Sequence, residues 1–315
     1  MKIDKPLTWL DKRYHSLNFA LREIFNEKTL KLSLDGGFTC PNRDGTIGSR
    51  GCIFCSEKGS GDFAGDRSLS LKKQIESQQE LLSEKWPNGS YIGYFQNFTN
   101  TYDSLENLKM IYEEVLSHPD IKGLAIATRP DALTDEIIDY LEELSKKTFL
   151  WIELGLQSIH ESSSEFIRRG YSIDLFESTF EKLKSKNINT VVHLILGLPG
   201  ESKAQIIESV DYISKLKPWG IKLHLLHILK NTDLASYYEE HPFTLFEMDE
   251  YINLIVECLE HLDPSIVIHR LTGDGGKDSL LAPRWTLNKR AVLNGIDKLL
   301  REKNSFQGRF IIQNI

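Results

Sequence analysis

Apolar residues are distributed along this chain in two alternating ways. Short, almost continuous blocks occur at 30–34, 91–95, 123–127, 150–154, 190–196, 221–228 and 265–270. Their length and density suit strands buried on both faces. Between them lie longer stretches, 105–116, 134–144, 173–184 and 203–216, with apolar side chains every three or four positions, the spacing of one helix face. A further helix is expected over 13–25. The stretch beginning at Thr134 has the clearest start, with Thr134 as cap and Asp135 and Glu136 in the first turn, where the helix dipole favours negative charge. Ile137 occupies the position that a full capping box needs for Glu or Gln. Strand and helix in alternation predict an α/β fold with a parallel sheet, and no repeat, low-complexity tract or Pro/Gly-rich linker divides it. The expected architecture is a partial (open) parallel βα barrel of about six or seven βα units over 30–280, with an N-terminal helical extension, 1–29, and a basic C-terminal segment, 281–315. Barrels of this kind carry their chemistry at the C-terminal strand ends.

With 315 residues, 40% of them hydrophobic, the chain can bury a large core. It opens on the charged run MKIDKPLTWLDKRYH, which has no signal-like apolar run, and no stretch reaches the ~18 apolar residues of a membrane span. A cytoplasmic protein with no membrane partner is expected. A net charge of −7 excludes whole-surface attraction to nucleic acid but not a local basic face. The C-terminal segment offers one, with Arg284, Lys289, Arg290, Lys298, Arg301, Lys303 and Arg309 against Asp297 and Glu302. It reads equally as a solvated helix face.

Three of the four cysteines follow the first strand in a C-x11-C-x2-C arrangement: Cys40, Cys52 and Cys55. Their clustering in a reducing compartment favours metal ligation over disulfides. Three thiolates can hold three irons of a [4Fe-4S] cube and leave the fourth open to a ligand. Glycines at 36, 37, 45, 48 and 51 let the backbone wrap closely. Structural zinc is the competing reading, with His15 or Cys258 as fourth ligand through the fold. Cys258 lies in a helically spaced stretch, 251–262, and reads as a buried core thiol.

Other strand ends also carry polar groups. After the second strand comes 95-FQNFTNTY-102, and after the third Thr128-Arg129-Pro130-Asp131, where Arg129 and Asp131 form either a site or a structural turn. Glu153 interrupts an apolar fourth strand. Since buried charge is costly, it serves a ligand or a buried salt bridge. His193, His224, His227 and His269 fall on later strands as interior candidates.

The loop resembles the radical S-adenosylmethionine (SAM) superfamily, in which an aromatic residue precedes the last cysteine, here Phe54. The long first gap, with CPNRDG before GC-x-FC, resembles a bacterial branch akin to the Elongator catalytic subunit, over about 10–290. The segments FQNFTNTY, ELGLQS (153–158) and GLPGE (197–201) resemble the same branch. The resemblance implies the radical SAM type of open barrel, a [4Fe-4S] cluster on the three cysteines, and SAM contacts from Phe54 and Leu198 near adenine and from Gln96, Thr128, Glu153 and Gln157. It implies cleavage of SAM to a 5′-deoxyadenosyl radical that abstracts hydrogen, with Glu153 and Arg270 at the reacting centre. The implied substrate is a tRNA wobble uridine whose carboxymethylaminomethyl group is converted toward aminomethyl. Implied partners are tRNA, an electron donor such as flavodoxin or ferredoxin, and a methyltransferase acting afterwards. Arg168 and Arg169 are then expected on phosphate, and Arg270 or Arg284 on the substrate carboxylate. Alternatives are a radical SAM enzyme acting on a small metabolite or porphyrin, or a non-catalytic zinc-stabilised RNA-binding protein.

Overall fold

The computed structural model describes residues 6–59, 64–84, 86, 89–273 and 275–313. The outermost residues of both end segments, 1–5 and 314–315, lie outside the described residues. Among the described residues nine strands form: β1 (Thr29–Leu34), β2 (Ser90–Phe95), β3 (Ile121–Thr128), β4 (Phe149–Gln157), β5 (Asn189–Leu196), β6 (Gly220–Leu225), β7 (Ile228–Leu229), β8 (Val267–Arg270) and β9 (Leu280–Ala282). Seven make one open parallel sheet in the order β1-β2-β3-β4-β5-β6-β8, the half-barrel arrangement expected from the alternation. β7 and β9 pair antiparallel apart from it. The chain divides into two compact units, Leu21–Gly155 with Arg169–Val191, and Met1–Ala20 with Leu156–Arg168 and Val192–Ile315.

In the first unit, β1 to β4 run in register so that Ser33, Tyr94, Ala125 and Trp151 are successive neighbours on one face. The other face carries Leu32, Leu34, Phe95, Leu124, Ile126, Ile152 and Leu154, each fully buried. Each such side chain contributes about 1.5–3 kcal/mol by leaving water. Helices Leu71–Ser83, Leu105–Leu116, Asp135–Ser145 and Ile173–Ser185 begin behind Ser70, Ser104, Thr134 and Ser172, whose hydroxyls each accept a hydrogen bond from the third helical amide.

In the second unit, helix Lys203–Leu216 has the full capping box of Ser202 and Gln205. Helix Met248–His261 packs against helix Lys289–Glu302. The N-terminal segment is tied down nearby: Lys12 pairs with Asp297, Arg13 donates to Leu300 O at 3.2 Å, and His15 O accepts from Ile268 N at 2.7 Å. The helix expected over 13–25 starts only at Leu17, because residues 13–16 are engaged in these contacts. The block 221–228 is two strands. The chain leaves the sheet after Leu225, where Leu226 N donates to Leu196 O, and Ile228–Leu229 then pairs with Leu280–Ala282. Among the described residues no helix is long and apolar enough to cross a membrane.

Candidate active site

The cysteine loop is built from tight turns. Cys40 O accepts from Arg43 N at 2.8 Å, Pro41 O from Ile47 N at 2.8 Å, and Asn42 O from Gly51 N at 2.7 Å, so the CPNRDG turn folds back on the GC-x-FC segment. Arg43 locks the two together by donating to Cys55 O at 3.0 Å and Ser56 O at 2.6 Å. Phe98 carries both the Arg43 guanidinium, 5.7 Å from its ring centre, and that of Arg67, at 4.8 Å. Arg67 also holds Asp35, whose carboxylate accepts from Asn97 Nδ2 at 2.5 Å, while Thr99 N donates to Thr39 O at 3.1 Å. The FQNFTNTY loop thus braces the cysteine loop.

Cys40, Cys52 and Cys55 are half-buried and are not joined in disulfides. Burial pushes the Cys52 thiol up to about 12, and Cys55 and Cys40 push in the same direction, while the Arg129 cation and a hydrogen bond from Asn42 oppose the rise. Asn42 Nδ2 stands 3.6 Å from Cys52 Sγ. A cation and an amide donor directed at sulfur suit an anionic thiolate cluster, and three such thiols are the donor set that one would need. Arg129 is itself fixed by Asp131, with contacts of 2.9 and 2.6 Å, and donates to Arg169 O at 2.9 Å. The turn reading of Thr128-Arg129-Pro130-Asp131 therefore holds, and the turn also aims charge at the cysteines. Arg129 and Arg169 both lie on the Tyr171 ring, at 4.8 and 4.9 Å, and the Tyr171 hydroxyl donates to Gly155 O at 2.6 Å. Gly170, at φ +82°, lets this segment approach: a Cβ there would stand 3.1 Å from Ile47 and 3.4 Å from Arg129.

Glu153 is 1% exposed and accepts from Tyr94 Oη at 2.8 Å and Trp151 Nε1 at 3.0 Å. These two neutral donors hold its carboxylate in place. Phe54 and Gln96 are half-buried at the ends of the cysteine loop and β2. The Thr128 hydroxyl meets that of Thr101 at 2.6 Å, and Thr101 lies 2.6 Å from Ala132 O, so Thr128 ties two strand-end loops together. Among the described residues Asn97 Oδ1, Thr99 Oγ1 and Asn100 Oδ1 are buried without hydrogen-bond partners, three polar atoms beside the cysteine loop that a bound polar group would satisfy.

In the second unit, Gln157 ends β4 in the left-handed region at φ +63°, which is unusual for this residue type. Ser158, next to it, hydrogen-bonds Glu201 of the GLPGE turn. Leu198 is buried in that turn, and a cavity of about 630 Å³ opens beside it, with Pro199, Phe243, Leu245, Phe246 and Leu254 also in its wall. His193 and His224 lie ring to ring at 5.1 Å, and Trp219 stacks edge-on with His269. Arg168 pairs with Asp233 at 2.6 Å, and Arg169, in the first unit, is 1% exposed. The expectation that this doublet meets phosphate is corrected: Arg169 lies inside the brace on Tyr171. Arg284 donates to Leu280 O at 3.1 Å from a short 3-10 turn. Asn42, Arg43 and Tyr171 join this brace although strand-end reasoning assigned them no part, and CPNRDG contained two of them; Arg129 reads from sequence only as a site-or-turn residue.

The fold, the three-cysteine loop and its cationic brace define a radical SAM protein. The chain belongs to the Radical SAM superfamily, whose model matches residues 44–213, and the Radical_SAM C-terminal domain matches 218–302. Its cofactors are a [4Fe-4S] cluster and SAM, and it is an enzyme of that class. It is 44% identical over 305 residues to the uncharacterized protein YtqA of Bacillus subtilis, covering 97% of this chain and 95% of that one. It is 26% identical over 159 residues to the tRNA uridine(34) acetyltransferase of Methanocaldococcus jannaschii, covering 48% of this chain and 28% of that one. The solved structure of the archaeal Methanocaldococcus infernus Elp3 shares the fold with a TM-score of 0.67 at 16% identity, over 89% of this chain and 64% of that one. The chain thus spans under two thirds of the Elp3 chain.

Proposed function

We propose that this radical SAM enzyme modifies the wobble uridine of tRNA, converting a carboxymethylaminomethyl group toward aminomethyl. The observation that carries this reading is the sequence similarity to a tRNA uridine(34) acetyltransferase over 48% of the chain. An exposed basic face supports it: Lys289, Arg290, Lys298, Arg301 and Lys303 all face solvent, while Val292, Ile296 and Leu300 of the same helix are buried. Such a face meets phosphates despite the net charge of −7.

Cys40, Cys52 and Cys55 would hold the cluster, and Glu153, Gln96, Thr128, Phe54, Gln157 and Leu198 are proposed SAM contacts. When bound, these groups supply one-electron chemistry that removes a hydrogen atom from an unactivated carbon. The chain's own residues fix Glu153 between Tyr94 and Trp151, aim Arg129 and Asn42 at Cys52, and cross-brace the loop through Arg43. The substrate change balances as follows. The N–CH2 unit of the carboxymethyl group loses two hydrogens with their electrons, water adds across the resulting C=N bond, and the amine and glyoxylate separate. SAM, when bound, would take up both electrons and one hydrogen and leave as methionine and 5′-deoxyadenosine, the second hydrogen leaving as a proton, so the electron that first reduces the cluster would be returned. Flavodoxin or ferredoxin is the proposed electron donor, and a methyltransferase would use the amine. The test compares wobble nucleosides by mass in tRNA from cells with and without the protein. Accumulation of carboxymethylaminomethyluridine without it is expected; an unchanged nucleoside profile would sink the assignment in favour of a small-molecule or porphyrin substrate.

A further inference from the structure

The second unit carries two imidazoles, a lysine and a guanidinium on one sheet face. Along β6, Ile221, Leu223 and Leu225 point to the apolar side and are at most 5% exposed, so Lys222 and His224 point to the other. Lys222, just past a register shift, is the partner of Arg270 on β8, which places the Arg270 side chain on that same face, with His224 two residues further along β6. On β5, Val192, Leu194 and Leu196 are buried to 1% or less, and His193 projects opposite them to meet the His224 ring at 5.1 Å. Three neighbouring strands therefore bring two imidazoles and a guanidinium to one face of the sheet. All three residues are half-buried, and Lys222 behind them is 1% exposed.

We infer that His193, His224 and Arg270 form the subsite for the carboxylate of the substrate's modified base. The inference rests on the wobble-uridine reading and deepens it. A guanidinium offers a planar fork that matches a carboxylate, and imidazoles beside it donate to the remaining lone pairs. The carboxylate is the group that distinguishes substrate from product, so a subsite for it retains the one and releases the other.

The test measures affinity of the full chain, with its cluster reconstituted anaerobically, for two synthetic anticodon stem-loop RNAs. One carries 5-carboxymethylaminomethyluridine at the wobble position and the other 5-aminomethyluridine. Wild type is expected to prefer the first by about tenfold, the scale of one charge-assisted hydrogen bond. Arg270→Gln and His224→Asn should lose that preference and keep the affinity for the aminomethyl RNA. Arg270→Lys, which keeps the charge without the fork, should retain part of it. Iron content and circular dichroism identify any variant that fails to fold, and Arg270→Lys then carries the comparison. Preference persisting in both variants, or absent in wild type, overturns the subsite while RNA binding stands. Equal loss for both RNAs assigns the patch to phosphate and also overturns it. If wild type binds neither RNA, the wobble-uridine reading itself fails and takes the subsite with it.

Discussion

Glu153 shows how a single side chain joins fold to chemistry. Buried in a largely apolar strand, its carboxylate accepts from one phenol and one indole. Glu153→Gln keeps the shape and removes the charge. It should leave fold and cluster intact while weakening SAM binding by about 1.5–3 kcal/mol, tenfold or more in Kd. Calorimetric titration checks this, and an unchanged Kd would exclude Glu153 from the SAM site. The cysteines divide in the same way. Cys40→Ala, Cys52→Ala and Cys55→Ala should each abolish the cluster, as read by iron and sulfide content. Cys258→Ala should keep it at a stability cost of about 1 kcal/mol, because Cys258 is fully buried in helix Met248–His261, where burial holds its thiol protonated. Full iron content in Cys52→Ala, or its loss in Cys258→Ala, would reverse this division.

At the level of elements, the N-terminal segment is fastened through His15, which stacks on Trp9 with ring centres 5.6 Å apart and sits 3.3 Å from Pro264 O. Burial lowers its pKa, and hydrogen bonds from the ring to the Pro264 and Ser265 backbones offset only part of that. A depressed histidine stabilises the fold above its unfolded value near 6.5, and this contribution is lost as pH falls through the lower folded value. The protection factor of the Ile268 amide, whose N–H bonds His15 O, should therefore fall below about pH 6.5, and His15→Gln should flatten that dependence. A flat profile in wild type would contradict this. Helix Lys289–Glu302 makes a separate prediction. Neutralising Lys289, Arg290, Lys298 and Arg301 should reduce the salt dependence of tRNA binding, since each phosphate contact releases counterions, and should leave SAM cleavage without tRNA unchanged. Equal salt slopes would show this face to be merely solvated.

Across the whole molecule, seven strand blocks and the Thr134 cap were legible because burial on both faces and capping chemistry are local signals. Helix Leu71–Ser83 was not, since of its thirteen residues only Leu71, Gln74 and Ile75 are buried, too few to set a period. The break at Leu226–His227 leaves no trace in hydropathy, as both strands it separates are apolar. The cysteines were legible from spacing, but their brace was not. Arg129 and Tyr171 are far apart in sequence, and the Arg168–Arg169 doublet looks like surface charge until the fold buries one and pairs the other. Glu153 stood out as a charge in an apolar strand, whereas the face shared by His193, His224 and Arg270 needed register to be seen. The central claim joins this scaffold to a hydrogen atom on a tRNA base. The measurement that tests it most directly supplies the anaerobic enzyme with tRNA whose wobble carboxymethyl carbon is deuterated, and weighs the 5′-deoxyadenosine formed. Deuterium recovered in 5′-deoxyadenosine, together with aminomethyluridine in the tRNA, is the predicted result; unlabelled 5′-deoxyadenosine with intact carboxymethylaminomethyluridine would contradict it.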